Sequence, residues 1–350
     1  MKKFNLLAIA VMIALASASQ AQVYKIADLG TLGGSFSVAS SVNNRGVIAG
    51  SSTLQGDLQN NAATWRKGSI ASLGTLGGNN SQANAINGSG WVVGSADLDD
   101  GVTTHAFLFT TTMSDLGSLA AGVAGANSVA NGISGWGYIT GTSYLSDLAT
   151  QHAFLWSPKT SALTDLGTLP GGTNSYGNAI NGFGFVVGSS DTAAGGTDAA
   201  LWFVHRDGTI TVRDLGTLGG PTSQALAVNG EGVIVGSADT ATGTDAFLYA
   251  NGKMIDLGNL GGSFASANAI NGNNVVVGTS NTTGDADAHA FIWTRRRGMR
   301  DLNNLIPATS GWDLQTANSI SGGESIVGTG VFNDPVNGPE FHAFVLTLPD

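Results

Sequence analysis

The chain repeats itself. A triplet of the type Asp-Leu-Gly begins at Asp28, Ser72, Asp115, Asp165, Asp214, Asp256 and Asp301, at spacings of 42 to 50 residues. Between triplets the same residue types return in order. A Gly-Gly pair leads into a stretch of small residues ending in Asn-Gly. An apolar run with one internal glycine follows, then an acidic loop, then a short aromatic run. A period of about 40–45 residues built from short strands is the mark of a propeller blade, and it must be recognised before any residue is interpreted singly.

Each unit reads as four strands, a to d. In the second unit these are a, Ser81–Asn87; b, Trp91–Ala96; c, His105–Phe109; and d, ending at Asp115-Leu116-Gly117. Val, Ile, Phe and Trp favour strands, and Asn-Gly between two such runs signals a hairpin. Strand b carries a central glycine in every unit: Gly50, Gly94, Gly141, Gly188, Gly236, Gly278 and Gly328. A strand-interior glycine marks a close approach, for which a bulky strand-c ring such as Phe107 or Phe154 is the expected neighbour. The pairs Gly33-Gly34, Gly77-Gly78, Gly171-Gly172, Gly219-Gly220 and Gly261-Gly262 read as loops needing positive φ. Strand a is small enough to crowd around a central axis.

The expectation is therefore an all-β fold, a single seven-bladed β-propeller of four-stranded blades. The last unit supplies a, b and c but no d. Val23–Gly30 ends in the triplet of a d strand and is expected to pair with His342–Leu348, so that the N-terminal strand closes the ring and leaves no open edge. A β-solenoid is the alternative, but it calls for polar end caps.

Residues 1–21 combine Lys2 and Lys3 with an apolar core and small residues, the form of a secretory signal peptide. Residues 22–350 then make one domain with no expected membrane span, placed outside the cell or in the periplasm. Without Lys2 and Lys3, 12 basic residues face 24 acidic ones, a net charge of −12. That balance excludes nucleic acid as a partner, because phosphates call for a basic surface. There is no cysteine, hence no disulfide.

Four units carry a His-Ala-Phe tripeptide, at His105, His152, His289 and His342, after a core such as DLGTLGG and AING; Asn61, Asp198 and Asp245 stand at the first position in the other three. In these motifs, across nearly all of residues 23–350, the chain resembles the HAF family of extracellular repeats. The resemblance implies a secreted bacterial protein and brings no catalytic residue with it.

Repetition also bears on chemistry. The four histidines share one repeat position, so a ring sets them at different angles, whereas zinc needs three or four converging ligands. They read as structural equivalents, tied to a neighbouring strand or to the triplet carboxylate. The triplet aspartates recur likewise, unlike a general acid placed once beside one substrate atom. No nucleophile elbow is present. No resident cofactor is expected. The acidic b–c loops offer oxygen ligands to calcium at Asp97, Asp99, Asp100, Asp285 and Asp287, although solvated loop carboxylates are the plainer reading. Arg295-Arg296-Arg297 reads as a solvated hairpin end, with a basic binding patch as the alternative.

The expected function is non-enzymatic binding of a glycan or a surface protein. The alternatives are a carbohydrate-active hydrolase or lyase and a self-associating element of an extracellular layer. Strand order puts the b–c loops and d–a crossovers at one end. That end holds the insertions and the aromatics Phe36, Tyr176, Phe264 and Trp312, with Asp99, Asp285 and Asp334 nearby, and is the expected ligand face.

Overall fold

The structure, a computed structural model, describes residues 24–205, 207–334 and 338–349. The expected signal peptide at 1–21, with Gln22, Val23, Arg206, residues 335–337 of the seventh unit's insertion and Asp350, lies outside the described residues. No helix among the described residues is long and apolar enough to cross a membrane.

The described chain is all-β, with two short 3-10 turns. Its first complete unit is Gly33–Val42, Ile48–Leu54, Asn60–Arg66 and Ser69–Ser72, paired antiparallel in that order. The same four-stranded pattern returns along the chain. The final set is Trp312–Ile320, Ile326–Asp334 and Gly338–Thr347, and its fourth strand is Lys25–Asp28 from the other terminus. Lys25 faces Thr347 and Asp28 faces Phe344 in that pair. Leu29 N donates to Ala343 O at 3.0 Å, and Tyr24 N to Leu305 O at 2.7 Å.

The core lies between the sheets. Each apolar cluster among the described residues draws on two successive units. Phe107 with Ala49 and Ala62 joins the first and second; Phe247 with Val187 and Ala199 joins the fourth and fifth. One cluster joins the last unit to the first, through Val327 and Ala343 against Ala39 and Trp65. The strand-c rings Phe107, Phe154, Phe247, Phe291 and Phe344 are fully buried, and each contributes about 2–3 kcal/mol of transfer free energy. Where Ala63 and Ala200 replace that ring, Trp65 and Trp202, two residues on and so on the same strand face, are the buried aromatics.

The strand glycines face two groups, a strand-a carbonyl and, in four units, the expected strand-c ring. A Cβ at Gly50 or Gly94 would strike first the carbonyl of Val38 or Gln82 on strand a; at Gly141 it would strike Val129 O and then the Phe154 ring at 2.9 Å, and at Gly278 and Gly328 the rings of Phe291 and Phe344 lie 2.8 Å away. The carbonyl is brought there by a β-bulge. In every unit the a–b register slips by one residue beside this glycine, as between Ala39 and Ser41 or Ala83 and Ala85, and a bulge turns the strand-a carbonyl toward its partner. The Gly-Gly pairs are not plain loops. In three units they open strand a, as in Gly77–Ile86, which begins four residues before the expected Ser81. Gly77 has φ 110°, while a Cβ at Gly78 would meet Asp97 and Leu98.

The bulge residue carries the contact from unit to unit. Asn84 Nδ2 donates to Ala130 O at 3.0 Å, Asn131 to Gly177 O at 2.9 Å, Asn178 to Ala225 O at 2.8 Å and Asn268 to Ala317 O at 3.1 Å. Asn318 of the seventh unit donates to Ala39 O of the first at 3.0 Å. Ser40 and Leu226 occupy the two remaining bulges. A second belt runs through the Asn-Gly turns: Asn43 Nδ2 to Asn87 O at 3.0 Å, Asn181 to Asn229 O at 3.1 Å and Asn271 to Ser321 O at 3.1 Å. These belts hold all the a–b turns at the same end of the molecule.

Candidate functional site

The repeat histidines are tied down locally. Nδ1 lies 2.9 Å from Asp115 in His105, 2.8 Å from Asp165 in His152, 2.8 Å from Asp301 in His289 and 3.0 Å from Asp28 in His342. A carboxylate only accepts, so Nδ1 carries the hydrogen in each. Asn61 Nδ2 makes the equivalent bond to Ser72 Oγ at 2.9 Å. The fourth unit departs: Asp198 meets Asp214, and burial, followed by the Asp214 charge, raises the Asp198 carboxyl above the ordinary range. Asp245 accepts from Asn259 Nδ2 at 2.6 Å. The histidines sit on separate sheets, and among the described residues no group of three or more His, Asp or Glu side chains is placed to hold a metal ion.

The loop carboxylates are engaged with their own loops. Asp97 accepts from Asn80 Nδ2 at 3.0 Å and from Thr104 Oγ1 at 2.9 Å. The Thr103 hydroxyl, then the amides of Val102 and Thr103, hold Asp100 below its ordinary value. Asp285 is lowered by the Ser263 amide, then by the Asn281 side chain. Asp99 and Asp287 are exposed. Asp334 ends its strand opposite Gly338.

The four aromatics expected at the b–c end fall in four different units. Phe36 is stacked on Phe341, centroids 5.8 Å apart, and Trp312 on Phe332 at 5.1 Å. Phe264 makes a single parallel bridge to Thr244 of the preceding unit. Tyr176 is half-buried, and burial raises its phenol above the ordinary value, with the Asp191 charge second. Each ring has a local neighbour, and the structure does not bring the four together.

The opposite end, formed by the a–b turns and c–d hairpins, holds the more exposed rings. Trp136 is 75% exposed and Phe183 69%. Both stand at the apex of a Gly-x-Gly turn, in neighbouring units. The slot between turn glycines is otherwise filled by Ser89 in the second unit and Glu231 in the fifth. The indole of Trp136 reaches over Gly182, where a Cβ would sit 4.0 Å from Nε1, and Trp91 lies beneath Gly137. From Phe183 the rings continue outward: Phe185 at 6.5 Å, Phe203 a further 5.3 Å and His205 a further 4.7 Å. The result is an aromatic track across the third and fourth units. The sequence signal was available, since in the second to fifth units the turn keeps its Gly-x-Gly frame and the apex between the glycines varies.

The same end opens a cleft of ≈ 660 Å³ between the fifth and sixth units. Leu248, Leu257 and Trp293 form its floor, and Glu231, Lys253 and Arg295 stand at its rim. No sequence motif pointed to it, because its residues come from hairpins of two units.

No family model matches the sequence, and no curated protein does. Solved structures do resemble it. Oligogalacturonate lyase from Vibrio parahaemolyticus is 11% identical, with a TM-score of 0.54 over 95% of each chain. The β-propeller domain of the Trilobed protease from Pyrococcus furiosus is 10% identical, with a TM-score of 0.51 over 94% of this chain and 97% of that one. TolB from Acinetobacter baumannii is 11% identical with a TM-score of 0.45, and the match spans 73% of this chain and 63% of TolB. At these identities the likeness to the first two speaks for the fold alone, and that fold is a β-propeller.

Proposed function

We propose that this chain is a secreted, non-enzymatic binding module of the HAF repeat type, a seven-bladed propeller closed by its N-terminal strand, and that it binds a glycan at the end bearing the a–b turns. The pairing of Lys25–Asp28 with the last strand and the bond from Asn318 to Ala39 support the closed count of seven. The leader at 1–21 supports secretion.

The observation that carries the ligand class is the aromatic track. A ring left three-quarters in water on a glycine-framed apex contributes little to the fold. It offers a flat apolar face, between units whose turns carry a polar residue at the same position, Ser89 and Glu231. That surface suits a pyranose, which has one apolar face and a rim of hydroxyls; a flat protein partner would call for a wider apolar patch. A run of rings suits several successive sugars. The neighbour named oligogalacturonate lyase keeps a carbohydrate-active enzyme as the alternative class on this scaffold.

A glycan array probed with the wild-type protein, with Trp136→Ala/Phe183→Ala and with Phe36→Ala/Trp312→Ala separates the two ends. The expected result is binding to a set of oligosaccharides that the first pair abolishes and the second leaves intact. Loss confined to the second pair would return the site to the b–c end. A cut oligosaccharide product would favour the enzyme, and an array without signal would remove the glycan.

A further inference from the structure

The cleft between the fifth and sixth units has a chemistry of its own, unlike that of the aromatic track. Its volume of ≈ 660 Å³ lies in the range of small-molecule sites. The hairpin of the fifth unit turns tightly at Asn251 and Gly252, with φ 52° and 77°, the signature of a two-residue type I′ turn. That short hairpin keeps the mouth open. One wall is Ile255, 49% exposed on the outer strand. The residue before the triplet is Ala27, Ala71, Ser114, Thr164, Arg213 or Arg300 in the other units. A large aliphatic side chain stands in water at this position in the fifth unit, beside an apolar floor.

The rim is charged. Lys253 and Arg295 both line the cleft, and neither has an ion-pair partner among the described residues. Glu231, across from them, accepts from Asn274 Nδ2 at 3.3 Å. Two cations against one carboxylate leave the cleft net positive by one charge, on a chain whose net charge is −10. An apolar floor under one surplus cation is complementary to an apolar body carrying one anionic head.

We propose that this cleft is a second binding site, and that it takes a small anionic amphiphile: an aromatic or aliphatic body bearing one carboxylate, its body on Trp293, Leu248 and Ile255 and its head between Lys253 and Arg295. The guanidinium of Arg295 can hold a carboxylate through two parallel bonds, while Lys253 supplies a point charge. This site is separate from the glycan track, and neither depends on the other.

The test is a calorimetric titration of the full chain with 2-naphthoate and with its uncharged match, 2-naphthamide. The expected result is one naphthoate per chain, bound about tenfold more tightly than the amide, as one charge-assisted contact implies. Lys253→Gln and Arg295→Gln, both at exposed hairpin ends, should each erase most of that preference. Ile255→Thr should weaken acid and amide alike, and Trp136→Ala/Phe183→Ala should change neither. Absence of naphthoate binding, equal binding of acid and amide, or binding indifferent to Lys253 and Arg295 would each overturn the proposal.

Discussion

Replacing Asn318 by alanine removes the belt contact where the seventh unit meets the first. Its amide donates to Ala39 O at 3.0 Å, and Ala39 is fully buried. The lost bond is worth about 1 kcal/mol net, and a buried carbonyl left without a partner raises the cost to about 1–3 kcal/mol. For a domain of this size that corresponds to a fall in Tm of roughly 1.5–4 °C. The same substitution at Asn131 or Asn178 removes the equivalent contact to Gly177 O or Ala225 O. The decisive quantity is the comparison. In a closed ring the seam is like any other junction, so urea midpoints and Tm should fall by the same amount, within about 0.5 kcal/mol, at all three positions. A silent Asn318→Ala beside costly changes at 131 and 178 would refute the reasoning, because the seam would then carry no contact.

Other outcomes follow from single sites. Asp198 has its carboxyl raised by burial and then by Asp214, so the folded state disfavours its charged form. That penalty is fully present above the raised folded pKa, declines as pH falls through it, and is gone below the unfolded one. Asp198→Asn should therefore raise Tm near about pH 7 and gain progressively less toward about pH 4; a gain that grows on acidification would reverse the sign. Gly141→Ala drives a methyl into Val129 O and should cost about 3 kcal/mol, the upper end for overpacking. Gly135→Ala, with nothing within 4 Å, should be near neutral in the same melts. His152→Asn should keep the fold, since Asn61 already bonds Ser72 at that position; a drop in Tm as large as that of His152→Leu would show that the imidazole itself is required.

Much of the architecture was legible because the repeat states it seven times. The four strands, the internal glycine of strand b and the fourth strand of the last unit supplied by the N-terminus could all be read from type and order. So could the strand-c ring that faces that glycine. The strand-a carbonyl beside it was not read, although a glycine inside a strand is also a mark of a bulge. The asparagines of the belts were hidden. Asn84 and its acceptor at Ala130 are 46 residues apart, close to the period itself. A bond to the next unit therefore looks, in sequence, like one more feature within the unit.

The candidate site was less legible. Attention to insertions favoured the b–c end, where Phe36 and Trp312 are stacked on Phe341 and Phe332 and the four expected rings fall in different units. Trp136 and Phe183 sit in turns of unchanged length, whose Gly-x-Gly frame they share with the second and fifth units. The rim of the cleft is assembled from Glu231 and Lys253, each unremarkable in its own hairpin, and from Arg295, the first residue of the arginine run. Its meaning depends on how two sheets splay, which follows from packing between units.

The closed ring can be tested covalently. Lys25 and Thr347 are opposite each other in the closing pair, and both are exposed. Facing residues in such a pair are about 4.5–5.5 Å apart at Cα, within disulfide range. The chain has no other cysteine, so Lys25→Cys/Thr347→Cys can form only the intended bond within a chain. The measurement is the urea midpoint of that variant, oxidised and reduced. The account predicts quantitative oxidation to a faster-migrating monomer on a non-reducing gel, with the oxidised form more stable by up to roughly 5 kcal/mol for a loop this long. Two thiols that stay free under oxidant in the native protein, or a disulfide that destabilises it, would contradict the closure.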